Sequence, residues 1–176
     1  MAEYKFFPIS VPVSEEDLTN YITIRLAMLK TNPEAFGSTF TGESKNTRET
    51  WRAKIDHEGR CTIISADAST GEWVGSASIA TPEFMNKPES PNALIGMWVN
   101  PEHRRKGLAK GLIEVGMDWL RKRTDGMPDE KRMLTLEVHR TNESAKALYD
   151  LLGFRELEDT EVECPPDRIP MFIVAK

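Results

Sequence analysis

Cysteine is nearly absent from this chain: Cys61 and Cys164 are the only two in 176 residues, far apart and outside any CxxC or Cys/His cluster. Neither a disulfide framework nor a metal site is expected, and both thiols read as buried or inert. Long hydrophobic runs are missing as well. The longest uninterrupted apolar stretch, Ala93 to Val99, falls far short of the ~20 residues that cross a bilayer, so no membrane partner is expected. The opening MAEYKFFPISVPVSEED places acidic residues on both sides of a short apolar patch. It lacks the basic start and small-residue cleavage site of a signal peptide, which points to the cytoplasm. Aromatic residues make up 8% and neither glycine (11) nor proline (11) is in excess, a composition unlike that of a disordered or low-complexity chain. There is no internal repeat and no linker-like stretch, so a single domain over residues 1–176 is expected, large enough to bury roughly 70% of its unfolded surface.

Two familiar phosphate loops are also lacking. GxxxxGK followed by Ser or Thr does not occur, and neither does GxGxxG, which sets aside P-loop hydrolases and dinucleotide-binding folds. The charge, however, is uneven. The whole chain carries a formal charge of −5, yet the segment from Arg104 to Arg123 is +5, leaving −10 on the remainder. Arg121, Lys122 and Arg123 suit the C-terminal end of a helix, whose dipole favours cations. The cluster Arg104, Arg105, Lys106 and Lys110 is different because glycine accompanies it.

Periodicity orders the elements around that cluster. Tyr4 to Ile9 reads as a short edge strand. Ser14 to Asp17 resembles a capping box ahead of a helix with Leu18, Ile22, Leu26 and Leu29 on one face, stopping before Pro33. Asn46 with Glu49 opens a shorter helix containing Trp51 and Ile55, ending near Gly59. Cys61 to Ala66 and Trp73 to Ala80 form an antiparallel hairpin, and Ala93 to Val99 is the next strand, with Gly96 marking a bulge or a close backbone approach. A long helix runs from about Arg105 to Lys122 with Leu108, Leu112, Val115 and Trp119 on its core face, then Leu134 to His139 alternates as a strand. Asn142 caps a helix with Ala145, Leu148 and Leu152 inward and Gly153 as its left-handed end. Strands near Phe154 to Leu157 and Met171 to Val174 complete a mixed α/β (α+β) arrangement, and Thr81 to Asn92 and Met127 to Arg132 read as loops.

The chemistry concentrates in VNPEHRRKGLAKGL, where a strand ends at Val99 and a basic, glycine-containing loop leads into a helix. The first helical N–H groups lack intrahelical acceptors, the dipole places partial positive charge there, and Gly107 and Ala109 let a phosphate come close. A pyrophosphate suits a cradle of this width. Arg104-Arg105-Lys106-Gly107-Leu108-Ala109 resembles the acyl-CoA-binding signature of the GNAT acetyltransferase superfamily, Arg or Gln, any two, Gly, any one, Gly or Ala. The preceding strand with Val99 and Pro101, and the following LEVHRTNESAKALYDLLGF, look like further elements of that family, so the resemblance runs from Ala93 to Phe154. RLAMLKTNPEAF is similar, more loosely, to its acceptor-side helices.

The resemblance implies a GNAT-like central sheet, mixed but mostly antiparallel, of about six or seven strands flanked by about four helices. It implies acetyl-CoA as co-substrate and transfer of its acetyl group to an amine by direct attack in a ternary complex. The amides from Arg104 to Ala109 would grip the pyrophosphate and Lys110 an outer phosphate oxygen. The backbone at Met97, Trp98 and Val99 would pair with the pantetheine arm, Asn142 would hydrogen-bond the cofactor, and Tyr149 would protonate the departing thiolate. An amine with a pKa near ~10 must lose a proton before it attacks, so a base is needed. In some family members a Glu twelve residues before the Tyr serves, and Glu137 stands there; His139, whose ordinary pKa of ~6.5 suits proton transfer, or a water are the alternatives. No metal is required. Phe36, Phe40 and Trp51 are candidates for an acceptor pocket or for packing, and His57 and His103 read as surface residues. A non-catalytic CoA-sensing or interaction module would carry the same cradle. Nucleic-acid binding through the basic segment is opposed by the acidic remainder. The acceptor, a small molecule or a protein, is not legible, and since dimers are common in the family a homodimer is left open.

Overall fold

The first strand, β1 (Tyr4–Pro8), lies at one edge of a sheet in the computed structural model, which describes residues 3–157 and 164–175. Helix α1 (Glu15–Thr31) begins where the Ser14 hydroxyl accepts the Asp17 amide at 3.0 Å, with Glu15, Glu16 and Asp17 against the positive end of its dipole, and stops ahead of Pro33. A 3₁₀ turn (Pro33–Ala35) and the single-turn α2 (Phe40–Glu43) lead to α3 (Arg48–Ile55). Thr47, rather than Asn46, caps α3, its hydroxyl accepting the Thr50 amide. Strands β2 (Arg60–Asp67) and β3 (Trp73–Ala80) form the expected hairpin. The segment expected as a loop after β3 contains one helical turn, α4 (Pro82–Met85), before β4 (Asn92–Val99).

A second 3₁₀ turn (Pro101–His103) precedes α5 (Leu108–Arg123), and the single-turn α6 (Asp129–Arg132) occupies the next expected loop. Strand β5 (Met133–His139), helix α7 (Glu143–Leu151), the two-residue β6 (Arg155–Glu156) and β7 (Arg168–Val174) finish the chain. The sheet has seven strands in the order β1-β2-β3-β4-β5-β7-β6, and β4 with β5 is the parallel pair in an otherwise antiparallel ladder. The architecture is therefore the mixed, mostly antiparallel sheet that the sequence implied, with α1, α3, α5 and α7 as the four longer helices.

Both faces of the central strands are covered. Ile63 packs with α5 in one cluster while its neighbour Ile64 packs with Leu18, Tyr21, Trp51 and Ile55 of α1 and α3 in the other, and both isoleucines are fully buried. Coverage on two sides explains why Cys61 to Ala66 reads as a continuous apolar run rather than an alternating one. The α5 stripe differs from the expected one: Leu108, Leu112, Ile113, Met117 and Leu120 are buried, whereas Val115 and Trp119 sit at the margin. The line of contact runs through glycines that carry no hydropathy signal. A methyl group on Gly116 would lie 3.0 Å from Ile79 Cδ1, and one on Gly111 would lie 2.5 Å from the Phe6 ring.

Candidate active site

Strands β4 and β5 pair at only two positions, Asn92 with Leu134 and Ala93 with Thr135, and separate beyond them. Their closed end is pinned by side chains. Asn92 Nδ2 donates to the carbonyls of Lys131 (3.0 Å) and Met133 (2.9 Å), and the Thr135 hydroxyl donates to the Asn92 carbonyl at 3.1 Å. Further along, the β3–β4 register shifts by one residue between Ser76/Trp98 and Ser78/Ile95, so Gly96 and Met97 together face Ala77. Gly96 has φ +62°, and this is the bulge the sequence pointed to at that glycine. A bulge bends its strand, and here it lies where β4 departs from β5.

The open edge of β4 follows from the ladder. Asn100 N–H donates to the Val74 carbonyl at 2.8 Å, and Val99 stands opposite Gly75. Alternation along an antiparallel pair then turns the Val99 N–H and C=O away from β3 and toward the gap. The Val99 carbonyl meets Arg104 Nε there, at 3.0 Å.

Just beyond, the chain makes an unusual turn. Arg105 has φ +60° and Gly107 has φ +83°, on either side of Lys106, and Gly107 occupies the N-cap of α5. Helix α5 therefore begins at Leu108, three residues later than its pattern suggested, because a left-handed residue cannot continue a right-handed helix. Among the described residues the six consecutive amides from Arg105 to Lys110 make no close hydrogen bond, and the Gly111 amide makes the first backward bond, to the Gly107 carbonyl at 3.1 Å. Alternating backbone handedness turns such amides into a concavity for anions, at the positive end of a helix dipole. A Cβ on Gly107 would meet nothing within 4 Å, so the loop's surface is open there.

The basic side chains are less uniform than the sequence implied. Arg105 is exposed and has no side-chain partner among the described residues. Lys106 Nζ donates to the Glu102 carbonyl at 3.1 Å, and Lys110 faces Glu114 at 3.7 Å. Arg104 is held by Val99 and also donates from Nη2 to Asn32 Oδ1 at 2.8 Å. Met97 is half-buried, and Trp98 is buried against α1 with its indole N–H donating to the same Asn32 oxygen at 3.0 Å. Nothing in the local pattern announces Asn32; it stands just past the end of α1 and 66 positions before Trp98.

On the other side of the gap, β5 directs Leu134, Leu136 and Val138 into the α5 layer, and Thr135, Glu137 and His139 to the opposite face. Tyr149 of α7 belongs to the Leu136/Val138 cluster, so it and Glu137 approach β5 from opposite faces. The α7 pattern put Leu148 at the centre of the inward face, but Tyr149 is the more buried, 6% exposed, with its ring edge-on to Phe154. Burial alone pushes its phenol up to about 12. The hydroxyl makes no hydrogen bond to another described residue. Glu137 is exposed and pairs with Arg168 at 3.3 Å, and His139 Nδ1 lies 3.3 Å from Asp167 Oδ2. Asn142 is exposed and caps α7, its Oδ1 accepting the Ala145 amide at 3.2 Å.

The acceptor-side candidates divide. Trp51 is core, edge-on to Tyr21, while Phe36 is half-buried beneath the Arg25 guanidinium and Phe40 is exposed. Arg25 grips the buried Glu43 with two hydrogen bonds, at 3.0 and 3.2 Å, and Lys54 lies 3.4 Å away, a charged knot with no signature in the local pattern. His57 is exposed, as expected, but His103 is half-buried and shares a 3.0 Å hydrogen bond with the Tyr4 hydroxyl. Cys61 is buried, its thiol pushed up to about 12 by desolvation, and Cys164 is half-buried, its thiol raised by burial and by Glu137. Among the described residues no group of three or more His, Cys, Asp or Glu is arranged to hold a metal, and no helix is long and apolar enough to cross a membrane.

A splayed β4–β5 pair beside an open, basic loop at the head of the following helix leaves a free strand edge next to a cluster of unpaired amides. The chain belongs to the Acetyltransferase (GNAT) family, whose profile matches residues 26–154. The family is one of acetyltransferases, and its members typically take acetyl-CoA as co-substrate. Among solved structures, the chain is similar to a GNAT-family acetyltransferase from Streptococcus pneumoniae, 16% identical over 99% of this chain and 100% of that one, with a TM-score of 0.73. A GNAT-family acetyltransferase from Staphylococcus aureus Mu50 is 13% identical over 99% and 100%, with a TM-score of 0.69. The ribosomal-protein-S18-alanine N-acetyltransferase from Escherichia coli is 20% identical over 98% and 94%, with a TM-score of 0.62. At these identities the likeness is one of fold. No curated protein matches the chain by sequence at a significant level.

Proposed function

We propose that this chain is an N-acetyltransferase that takes acetyl-CoA as donor and passes the acetyl group to an amine by direct attack, both substrates being bound together. The observation that carries the reading is the run of six unpaired amides from Arg105 to Lys110, opening beside a β4 edge that β5 leaves free after Ala93. Those residues fit a diphosphate: the amides make no close hydrogen bond to a described residue, and Arg104, Arg105, Lys106 and Lys110 supply the neutralising charge. Of these, Arg105 is the cation without a side-chain partner among the described residues, whereas Arg104 keeps only part of its guanidinium for a ligand. The Val99 N–H, with the Met97 backbone, receives the pantetheine arm as a strand would and polarises the thioester carbonyl, a contribution of the oxyanion-hole kind, whereas Trp98, opposite Ser76, turns its own N–H and C=O toward β3.

Acetyl-CoA supplies an acyl group on a good leaving thiolate; the protein supplies orientation and proton transfer. Tyr149 is the acid. Its raised pKa keeps the phenol protonated at neutral pH, so it has a proton to give to the departing sulfur. Glu137 is the base, with Arg168 holding its carboxylate in place, and His139, oriented by Asp167, is the nearest substitute on the same face. Asn142 spends its carbonyl oxygen on the α7 cap, which leaves its amide nitrogen for the donor. The chain acts as one catalytic domain in the cytoplasm. The test is release of free thiol from acetyl-CoA across a panel of amines. Amine-dependent release that falls steeply in Tyr149→Phe is the expected result. CoA binding without thiol release for any amine would leave a CoA-sensing module instead, and no binding at millimolar acetyl-CoA would overturn the reading.

A further inference from the structure

Asn32 joins two parts of the protein that the reaction must coordinate. Its side-chain oxygen accepts from Arg104 Nη2 at 2.8 Å and from the Trp98 indole N–H at 3.0 Å. Both partners are obligate donors, so the oxygen and not the nitrogen must face them, and Nδ2 is turned to Glu34 Oε1, 3.2 Å away. The residue is itself fixed, since its own N–H closes α1 on the Met28 carbonyl at 2.9 Å. One oxygen thus ties the end of α1 to the C-terminal part of β4 and to the first cation of the anion loop.

The geometry at Arg104 gives that tie a purpose. Nε is taken by the Val99 carbonyl and Nη2 by Asn32, which leaves Nη1 as the edge without a partner among the described residues. An exposed arginine ordinarily loses considerable rotamer freedom on gripping an anion; this one is already held on two of its three nitrogens. Trp98 carries the same junction into the α1 layer, where it packs with Ile24 and Met28 and against Phe36, and Phe36 in turn lies 4.9 Å beneath Arg25.

Resting on the reading that the loop holds the donor's diphosphate, we infer that Asn32 is a positioning residue: it presets Arg104 for the diphosphate and reports occupancy of the loop to Trp98 and the α1 end. Asn32 touches neither substrate. Its effect on donor binding passes through Arg104, and its effect on the α1 side passes through Trp98.

Calorimetric titration of CoA into the full-length wild type, N32A, R104A and the double variant N32A/R104A tests the first half. N32A binds about five- to tenfold more weakly, the size of one ordinary hydrogen bond. The double variant binds as R104A does, because Asn32 has nothing left to position. Equal affinity for wild type and N32A, or losses that multiply in the double variant, would overturn the inference while leaving the acetyltransferase reading intact. Failure of the wild type to bind CoA at all would overturn that reading and this one with it.

The second half needs no change at Asn32, so it stands even where N32A does not fold. ADP has a diphosphate and no pantetheine arm. At saturating ADP the Trp98 indole N–H resonance, one of four and assigned by its loss in W98F, shifts in the wild type and does not in R104A. An unmoved resonance in the wild type, or the same shift in R104A, contradicts the coupling.

Discussion

Tyr149→Phe separates a working phenol from a structural one, because only a structural one takes stability with it when the oxygen is removed. The side chain is 6% exposed and its hydroxyl has no hydrogen-bond partner among the described residues. The hydroxyl is not among the buried polar atoms left without a partner, so its removal relieves no desolvation penalty, and the ring, edge-on to Phe154, is kept by the substitution. Removing the oxygen should therefore leave stability within about 1 kcal/mol of wild type, a Tm change of no more than about 2–4 °C for a chain of this size. Thiol release should fall by about 10²–10⁴, the usual worth of a placed acid, with CoA affinity within about twofold of wild type. Alkaline titration adds a signature of its own. The folded phenol is raised from 10.0 to about 12, so the unfolded chain gives up its proton first, and the wild type loses stability as pH climbs from about 10 toward 12. That loss is about 3 kcal/mol at most, and Tyr149→Phe lacks it. Calorimetry and urea melts across pH 7 to 11.5, beside the thiol assay, read all of these. A variant at least 2 kcal/mol less stable, with CoA affinity and turnover lost in proportion, would refute the reasoning and make Tyr149 a packing residue.

Gly107→Val should act on the donor alone. Its Cβ meets nothing within 4 Å among the described residues, but φ +83° is strained for a branched residue by about 1–2 kcal/mol, and the added bulk stands on the anion loop. CoA affinity should drop more than tenfold in a titration, with the core intact by near-ultraviolet circular dichroism. Glu43→Gln should cost about 3 kcal/mol in urea melts, since it strands the guanidinium of Arg25, whose side chain is 14% exposed. Burial works to raise the Glu43 carboxyl, but hydrogen bonding and attraction to Arg25, helped by Ser38 and Lys54, outweigh it and leave the group below its ordinary 4.5. The stability it supplies is complete above that value and is lost as pH falls through the lower folded one, so the two proteins should converge in acid.

What the sequence disclosed was whatever depends on neighbours in the chain. The Ser14 cap, the stop at Pro33, the Trp73–Ala80 strand and the left-handed Gly153 are local events, each fixed by a residue's own hydrogen-bonding or dihedral preferences. Gly96 marked its bulge for the same reason. The basic loop was legible as an anion cradle, but not the start of α5, because the left-handed turn at Arg105 is set by the surrounding structure against that residue's preference. Long-range arrangement was the part withheld. That β4 and β5 separate after one pair of rungs, that Arg104 is tied to Asn32 72 positions away, and that Arg25, Glu43 and Lys54 share a buried knot all depend on contacts between distant segments. Tyr149 was marked by a family motif, while its burial beyond Leu148 comes from where α7 settles on β5.

The most direct measurement is residue-resolved amide hydrogen exchange, with and without saturating acetyl-CoA. The account predicts new protection at Val99 and from Arg105 to Lys110, whose amides have no acceptor of their own in the loop and at the β4 edge. Saturable binding that leaves those amides exchanging as before, with protection appearing elsewhere on the molecule, would contradict it.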